Sequence, residues 1–325
     1  MDRTTSIVLI LALGLAVVGA GCTSSQQAAP TGAETGKITV SGAFALYPMM
    51  VTWAEEYKKV KPGIQVEVSA GGAGKGMTDA LAGMVDLGMV SRDISPEEVS
   101  KGAVWVAVTK DAVVVTANKD NPVLADLQAR GVKRSEFTAI FVNETITGWG
   151  NLVGKPEITG KIDVYTRSDA CGAADVWAKY MGYRQEDLKG IGVFGDPGLA
   201  DAVRMDRLGI GYNNIGFAYD ANTSRPIEGL AIIPLDVNGD GRLDADEQFY
   251  GTKDQILAAI NTGKYPSPPA RELNLVAKEK FTGATLDFVR WILTDGQQYV
   301  PEAGYIALPK ERIDEQLKKL GTVQA

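Results

Sequence analysis

Three times along this chain a strand-forming run ends in a turn of small side chains that opens at once into a helical pattern, at 41–48, 70–77 and 167–174. Repeated units of this kind constrain the fold strongly, because each helix must carry the chain back to the sheet; the result is a layered α/β structure. The rest of the sequence agrees. KITVSG (37–42) is a β-branched run closed by glycine, and behind Pro48 the residues Met49, Met50, Trp53, Tyr57 and Val60 recur at helical spacing. Residues 64–69 alternate as a strand, MTDALAGMV reads as a helix, 86–90 as a strand, and Ser95-Pro96-Glu97-Glu98 as a helix start. Strands are expected at 105–108 and 112–116 across a bend at Lys110-Asp111, then at 162–165 and 230–235. A glycine- and asparagine-bearing turn at 211–219 should lead into a further strand. Helices are expected at 175–180, 253–261, 283–293 and from Ile313.

The same three turns carry the functional signal. A helix start leaves up to four backbone N–H groups without internal partners, with the positive end of the helix dipole behind them. Small residues let a ligand approach that backbone, so several such ends aimed at one point form a cage for an oxyanion. Each turn alone is better explained as a packing device of a parallel sheet, and only the three together point to an anion. Basic residues stand nearby: Lys75 in the second turn, Arg92 after a strand end and Arg167 at the mouth of the third. Arginine suits bidentate oxyanion binding, although a structurally paired arginine is the plain alternative for each. Asp93 and Asp169 adjoin two of these arginines, either to orient them or to accept a proton from the ligand. The Lys75 turn is not a nucleotide P-loop, since Gly76 and Met77 stand where that loop needs a hydroxyl for magnesium.

The N-terminus sets the address. An apolar run at 7–21 follows Arg3 and ends at Cys22, too short for a membrane span of about 20 residues but suited to an export signal. A signal peptide over 1–21 and a flexible tether over 22–36 are expected, with Cys22 resembling the lipidated cysteine of a bacterial lipobox. Lipidation would anchor the chain to the outside of the cytoplasmic membrane, at the periplasm or cell surface. Cys171 is then the remaining cysteine, so no intrachain disulfide forms. The sequence has no histidine, which removes the usual zinc sites and the serine–histidine and cysteine–histidine relays. A formal charge of -7 without a basic stripe argues against nucleic acid.

In order, the segments resemble the substrate-binding proteins of phosphate ABC transporters. The likeness is carried by Gly42, Tyr47-Pro48, the run Gly71-Gly72-Ala73-Gly74-Lys75-Gly76, Val85-Asp86-Leu87 leading to Ser91-Arg92, and Trp105-Val106-Ala107 with 112–115. It continues through Ile140-Phe141, Ile146-Thr147, Trp149, Arg167 with Cys171-Gly172-Ala173, Ile215-Gly216-Phe217 and Gly263-Lys264-Tyr265-Pro266. The resemblance implies a two-lobe periplasmic-binding-protein type II fold with crossing hinge strands. Lobe one would comprise 37–113 and 225–325, and lobe two 114–224. It further implies a monomer without enzymatic activity that closes on a small anion and delivers it to an ABC permease. The ligand-binding positions would be Ala43, Phe44, Ala45, Leu46, Ala73, Gly74, Lys75, Ser91, Arg92, Asp93, Arg167, Cys171, Gly172 and Ala173. Family members usually carry serine or threonine at the positions of Ala43, Ala45, Ala73, Cys171 and Ala173, and often threonine at Lys75. Loss of those hydroxyls leaves phosphate as the first expectation and keeps a phosphonate, a sulfonate or another small anion open.

One segment lies outside that likeness. In DVNGDGRLDADE (236–247) oxygen donors fall at loop positions 1, 3, 5, 9 and 12, with glycine at 6. That is the calcium loop of EF-hands, with Asp236, Asn238, Asp240, the Arg242 carbonyl, Asp244 and bidentate Glu247 supplying the ligands. A strand-like rather than helical segment precedes it, so a structural calcium clip is expected. Two other classes remain open: a calcium-dependent adhesive or sensory module, and a hydrolase built on Asp93 or Asp169.

Overall fold

A computed structural model describes residues 35–322; the apolar run 7–21, Cys22 and the tether up to residue 34 lie outside them. No helix among the described residues is long and apolar enough to cross a membrane.

The chain opens with β1 (Gly36–Gly42), α1 (Tyr47–Val60), β2 (Ile64–Ala70), α2 (Ala73–Leu81), β3 (Leu87–Val90) and α3 (Pro96–Ser100). β4 (Ala103–Asn118) then leads to α4 (Leu124–Arg130), β5 (Val132–Lys133), α5 (Arg134–Phe141), α6 (Trp149–Leu152), β6 (Asp163–Arg167), α7 (Gly172–Met181), β7 (Ile191–Val193), α8 (Gly195–Met205) and β8 (Gly209–Asn214). β9 (Leu230–Ile233), β10 (Leu235–Asp236), α9 (Lys253–Asn261), β11 (Ala270–Lys278), α10 (Gly283–Leu293) and α11 (Lys310–Thr322) complete the described chain. The strands join in the order β2-β1-β3-β11-β4-β8-β6-β7, with β9 also on β4. β1, β2 and β3 are parallel, as are β6, β7 and β8, which matches strand–turn–helix units on each side.

Local choices follow side-chain chemistry. α1 buries Met49, Met50, Trp53 and Tyr57, and Pro48 sits in its first turn, where a missing N–H costs nothing. Val60, expected on that stripe, is instead 55% exposed at the last helical position. β2 alternates buried Ile64 with exposed Gln65 and Glu67, as a strand at the end of the sheet should. Ser95 and Glu98 form a reciprocal capping box on α3, each satisfying the other's amide, at 3.2 Å and 2.8 Å. The 230–235 strand is broken by Pro234, which has no N–H to donate, although its carbonyl accepts Val132 N at 2.9 Å.

Two expectations are corrected here. The bend at Lys110-Asp111 is absent: β4 runs unbroken for 16 residues, and the irregularity is a register shift opposite Leu273/Asn274. Secondly, 211–219 does not lead into a strand. The strand, β8, comes first and a short 3-10 turn at Ile215–Phe217 follows it.

Two hydrophobic cores define the lobes. One gathers Ile38, Trp53, Met89, Val106, Val108, Leu273, Leu275 and Phe288; the other gathers Val113, Val115, Phe141, Trp177, Tyr212, Ile233, Tyr250 and Tyr265. The change falls between Val108 and Ala112 on β4 and between Ala270 and Leu273 on β11, so these antiparallel neighbours are the crossing strands. Lobe one was expected to resume at residue 225. The apolar faces of β9 and α9 instead bury Ile232, Ile233, Ile256 and Ile260 in the second core, so the return comes at β11.

Candidate functional site

The three small-residue turns meet where the lobes meet. The Gly74 amide of α2 donates to Ala170 O at 3.0 Å, joining the second turn to the third. Gly72, the cap of α2, has φ +92, and a Cβ there would meet Asp169 Oδ2 at 2.7 Å. Glycine is therefore required twice, for the left-handed backbone and for the closeness of the lobes. A Cβ on Gly172 would meet the carbonyl and hydroxyl oxygens of Ser91 at 2.2 Å. From the first turn, the Phe44 ring covers the Arg167 guanidinium at 5.4 Å and packs edge-on against Phe194 at 6.0 Å.

The helix starts keep donors in reserve. Ala43 N is used on Met89 O, Cys171 N on Gln185 and Ala174 N on the Cys171 sulfur. The amides of Phe44, Ala45, Ala73, Gly172 and Ala173 make no hydrogen bond within the described residues. Ala45, Ala73 and Ala173 are each at most 3% exposed. Unpaired amides in such surroundings cost about 1–3 kcal/mol apiece unless a ligand or water accepts from them.

Arg167 ends β6 between these turns and is itself buried. Its Nε and Nη2 donate to the two oxygens of Asp169 at 2.8 and 2.6 Å, and Nη1 pairs with Asp196 Oδ2. Burial alone would lower the Arg167 pKa, but Asp196 and Asp169 outweigh it and hold it above its ordinary value. Asp196 in turn accepts from Asn214 Nδ2 at 2.7 Å and Asn214 N at 3.2 Å. One arginine with two carboxylates leaves the group formally at minus one, which disfavours a fully ionised anion and favours one that keeps a proton. Cys171 caps α7, and burial pushes its thiol up to about 12, so it is a packing residue and not a nucleophile.

The remaining expected positions separate. Leu46 is buried as the residue ahead of α1, and Ser91 is buried beneath Gly172. Lys75 turns back along its own helix to pair with Asp79, which also accepts from Ser41 Oγ at 2.6 Å. Arg92 is held by both oxygens of Glu98, at 2.7 and 3.0 Å, and does not join Arg167. The exposed Asp93 reaches Lys179 of α7 at 3.1 Å, on the rim between the lobes.

Sequence reading missed the turn at 194–196. It is a fourth strand–turn–helix unit, and Asp196-Pro197 within it carried a helix-start signal. Arg271 and Asp111 were also missed as site residues; each sits in a charged pair, Arg271-Glu272 and Lys110-Asp111, inside an apolar strand pattern, and that is itself a mark. They stand opposite one another on β11 and β4 at the crossing between the cores, 3.7 Å apart as an ion pair.

In the loop 236–247 the backbone takes the expected turns. Gly241 has φ +88, its amide donates to Asp236 Oδ2 at 2.7 Å, and Glu247 accepts from Val237 N and Asn238 N at 2.8 and 3.1 Å. Asn238 and Asp244 touch at 3.0 Å. The carboxylates thus rest on loop amides, and among the described residues no group of three or more acidic, histidine or cysteine side chains converges as a metal cage.

Residues 27–295 match the family model of the PBP superfamily domain, and the chain belongs to that superfamily. The phosphate-binding protein PstS of Pseudomonas aeruginosa is 25% identical over 316 residues, covering 88% of each chain. A Clostridium perfringens structure, described as a phosphate ABC transporter substrate-binding protein with bound phosphate, superimposes with a TM-score of 0.68 at 23% identity, over 84% of this chain and 100% of its own. An ABC-type phosphate transport receptor from Vibrio cholerae gives 0.60 at 21% identity, over 84% and 100%. These agree with the resemblance carried by the turns, and the two solved structures show the two-lobe fold.

Proposed function

We propose that this chain is an extracytoplasmic, lipid-anchored solute-binding protein that captures phosphate between its lobes as a monomer and delivers it to an ABC permease, without catalysing a reaction. The unpaired amides of Phe44, Ala45, Ala73, Gly172 and Ala173, drawn from three turns around Arg167, carry this reading. They supply fixed donors for an oxyanion despite the missing hydroxyls, and the two carboxylates on Arg167 favour a protonated anion such as phosphate over sulfate. Titration calorimetry with phosphate, sulfate, a phosphonate and a sulfonate tests it. Phosphate bound in preference to sulfate and recovered unchanged is the expected result; no binding of any of the four would refute it. Mass spectrometry of the membrane-bound chain checks for a diacylated Cys22.

A structural calcium ion at 236–247 belongs to the same proposal. Asp236, Asn238, Asp240, the Arg242 carbonyl, Asp244 and Glu247 would hold it, and the observation in its favour is the left-handed Gly241 with its amide on Asp236. Calcium would supply charge that draws these oxygens together and staples the connection after β10.

A further inference from the structure

We infer that Arg271 is a second guanidinium of the anion site, reaching it from the hinge. The inference rests on the proposed reading of the cleft and adds a residue that none of the turns contains. Arg271 lies on β11 at the crossing between the two cores and is 9% exposed. Its Nη2 donates to Asn214 Oδ1, while Nε and Nη1 are buried without a hydrogen-bond partner. Asp111 opposite does not absorb them: the pair stands at 3.7 Å, and Asp111 Oδ2 is itself left without a hydrogen bond.

The setting of those donors points to an anion. Asn214 also binds Asp196, which binds Arg167, so a continuous buried chain runs from the hinge to the turn at 167–174. The field of Arg271 reaches Cys171 at the cap of α7 and Tyr305, whose hydroxyl donates to the Ala45 carbonyl at 2.7 Å. Cys171 belongs to the turn at 167–174, and Tyr305 holds the turn at 41–48 through Ala45; both turns carry unpaired amides. A guanidinium has five N–H donors, and those left over in a buried position are satisfied when an acceptor enters beside them. An oxyanion between the turns is such an acceptor, and it replaces with charged donors part of what the alanines at 43, 45, 73 and 173 cannot give.

The test uses inorganic phosphate and the full chain, with Arg271→Met/Asp111→Asn, which removes both charges of the hinge pair, compared with Asp111→Asn alone. Asp111→Asn should bind phosphate more tightly than the unaltered protein, because a carboxylate that competes for Arg271 is gone. The double variant should bind at least about tenfold more weakly than Asp111→Asn, while its anion-free melting temperature is no lower. Binding by the two within about twofold overturns the inference, and if Arg167→Gln abolishes binding in the same series the cleft reading stands without it. If the unaltered protein binds no anion, both fall.

Discussion

Arg167 and Asp196 form an ion pair in which each side chain keeps 1% of its surface in water. A charge so placed is tolerated only while its partner is present. Asp196→Ala should therefore cost about 3–5 kcal/mol in urea unfolding, since it also strips Asn214 of its acceptor. Asp196→Asn keeps the shape and lowers the local negative charge. It should narrow the preference for phosphate over sulfate, which parallel titrations would read; an unchanged ratio would remove Asp196 from the selectivity argument.

The hinge pair makes stability depend on pH in an unusual direction. Burial raises Asp111 to about 6 against the attraction of Arg271, whose own pKa burial lowers, so desolvation outweighs their mutual attraction at 3.7 Å. A carboxyl raised on folding contributes its stability in full below the unfolded value and loses it as pH rises through the folded one. Relative to Asp111→Asn, the wild type should thus lose about 2 kcal/mol between pH 4 and pH 6.5. Melting curves of both proteins across that range check it, and parallel profiles would contradict it.

Calcium gives a separate handle. At tenfold excess over its dissociation constant, a ligand of the folded state adds about 1.4 kcal/mol. Millimolar calcium should raise the melting temperature of the wild type accordingly and leave Glu247→Gln nearly unmoved, with phosphate binding intact in both. A wild type indifferent to calcium would make 236–247 a plain turn held by Asp236 and Glu247 on its amides.

How much of this was legible in the sequence follows from what each feature depends on. Helices such as α9 and α10 were readable to the residue, because a cap and a stripe of apolar side chains are local properties. The three anion-type turns were readable for the same reason, as glycine between a strand pattern and a helix pattern is a local mark of a turn. Lobe membership of 225–269 was not, since an apolar strand such as β9 does not say which of two cores it enters. Lys75 and Arg92 look like anion ligands in sequence, yet Asp79 and Glu98, four and six residues on, take their charges. Arg271 and Asp111 are 160 residues apart, and the antiparallel register that pairs them is written in neither segment alone.

Gly172 offers the sharpest test of whether the meeting of the lobes is the ligand-binding state. It occupies the first position of α7, where alanine improves helix propensity by up to about 1 kcal/mol. Its backbone is not left-handed, so the substitution carries no strain within lobe two. The harm is confined to the other lobe: an added Cβ would stand 2.2 Å from Ser91 O and Oγ, and those atoms follow β3 in lobe one. Gly172→Ala should hold the lobes apart by the thickness of a methyl group, leave the anion-free melting temperature within about 2 °C and weaken phosphate binding by about two orders of magnitude, because the amides of Phe44, Ala45 and Ala73 then no longer face those of Gly172 and Ala173 across one ligand. Solution scattering with saturating phosphate should show contraction in the wild type and little in the variant. A variant that binds and contracts like the wild type would mean that the contact between Ser91 and Gly172 is incidental to capture.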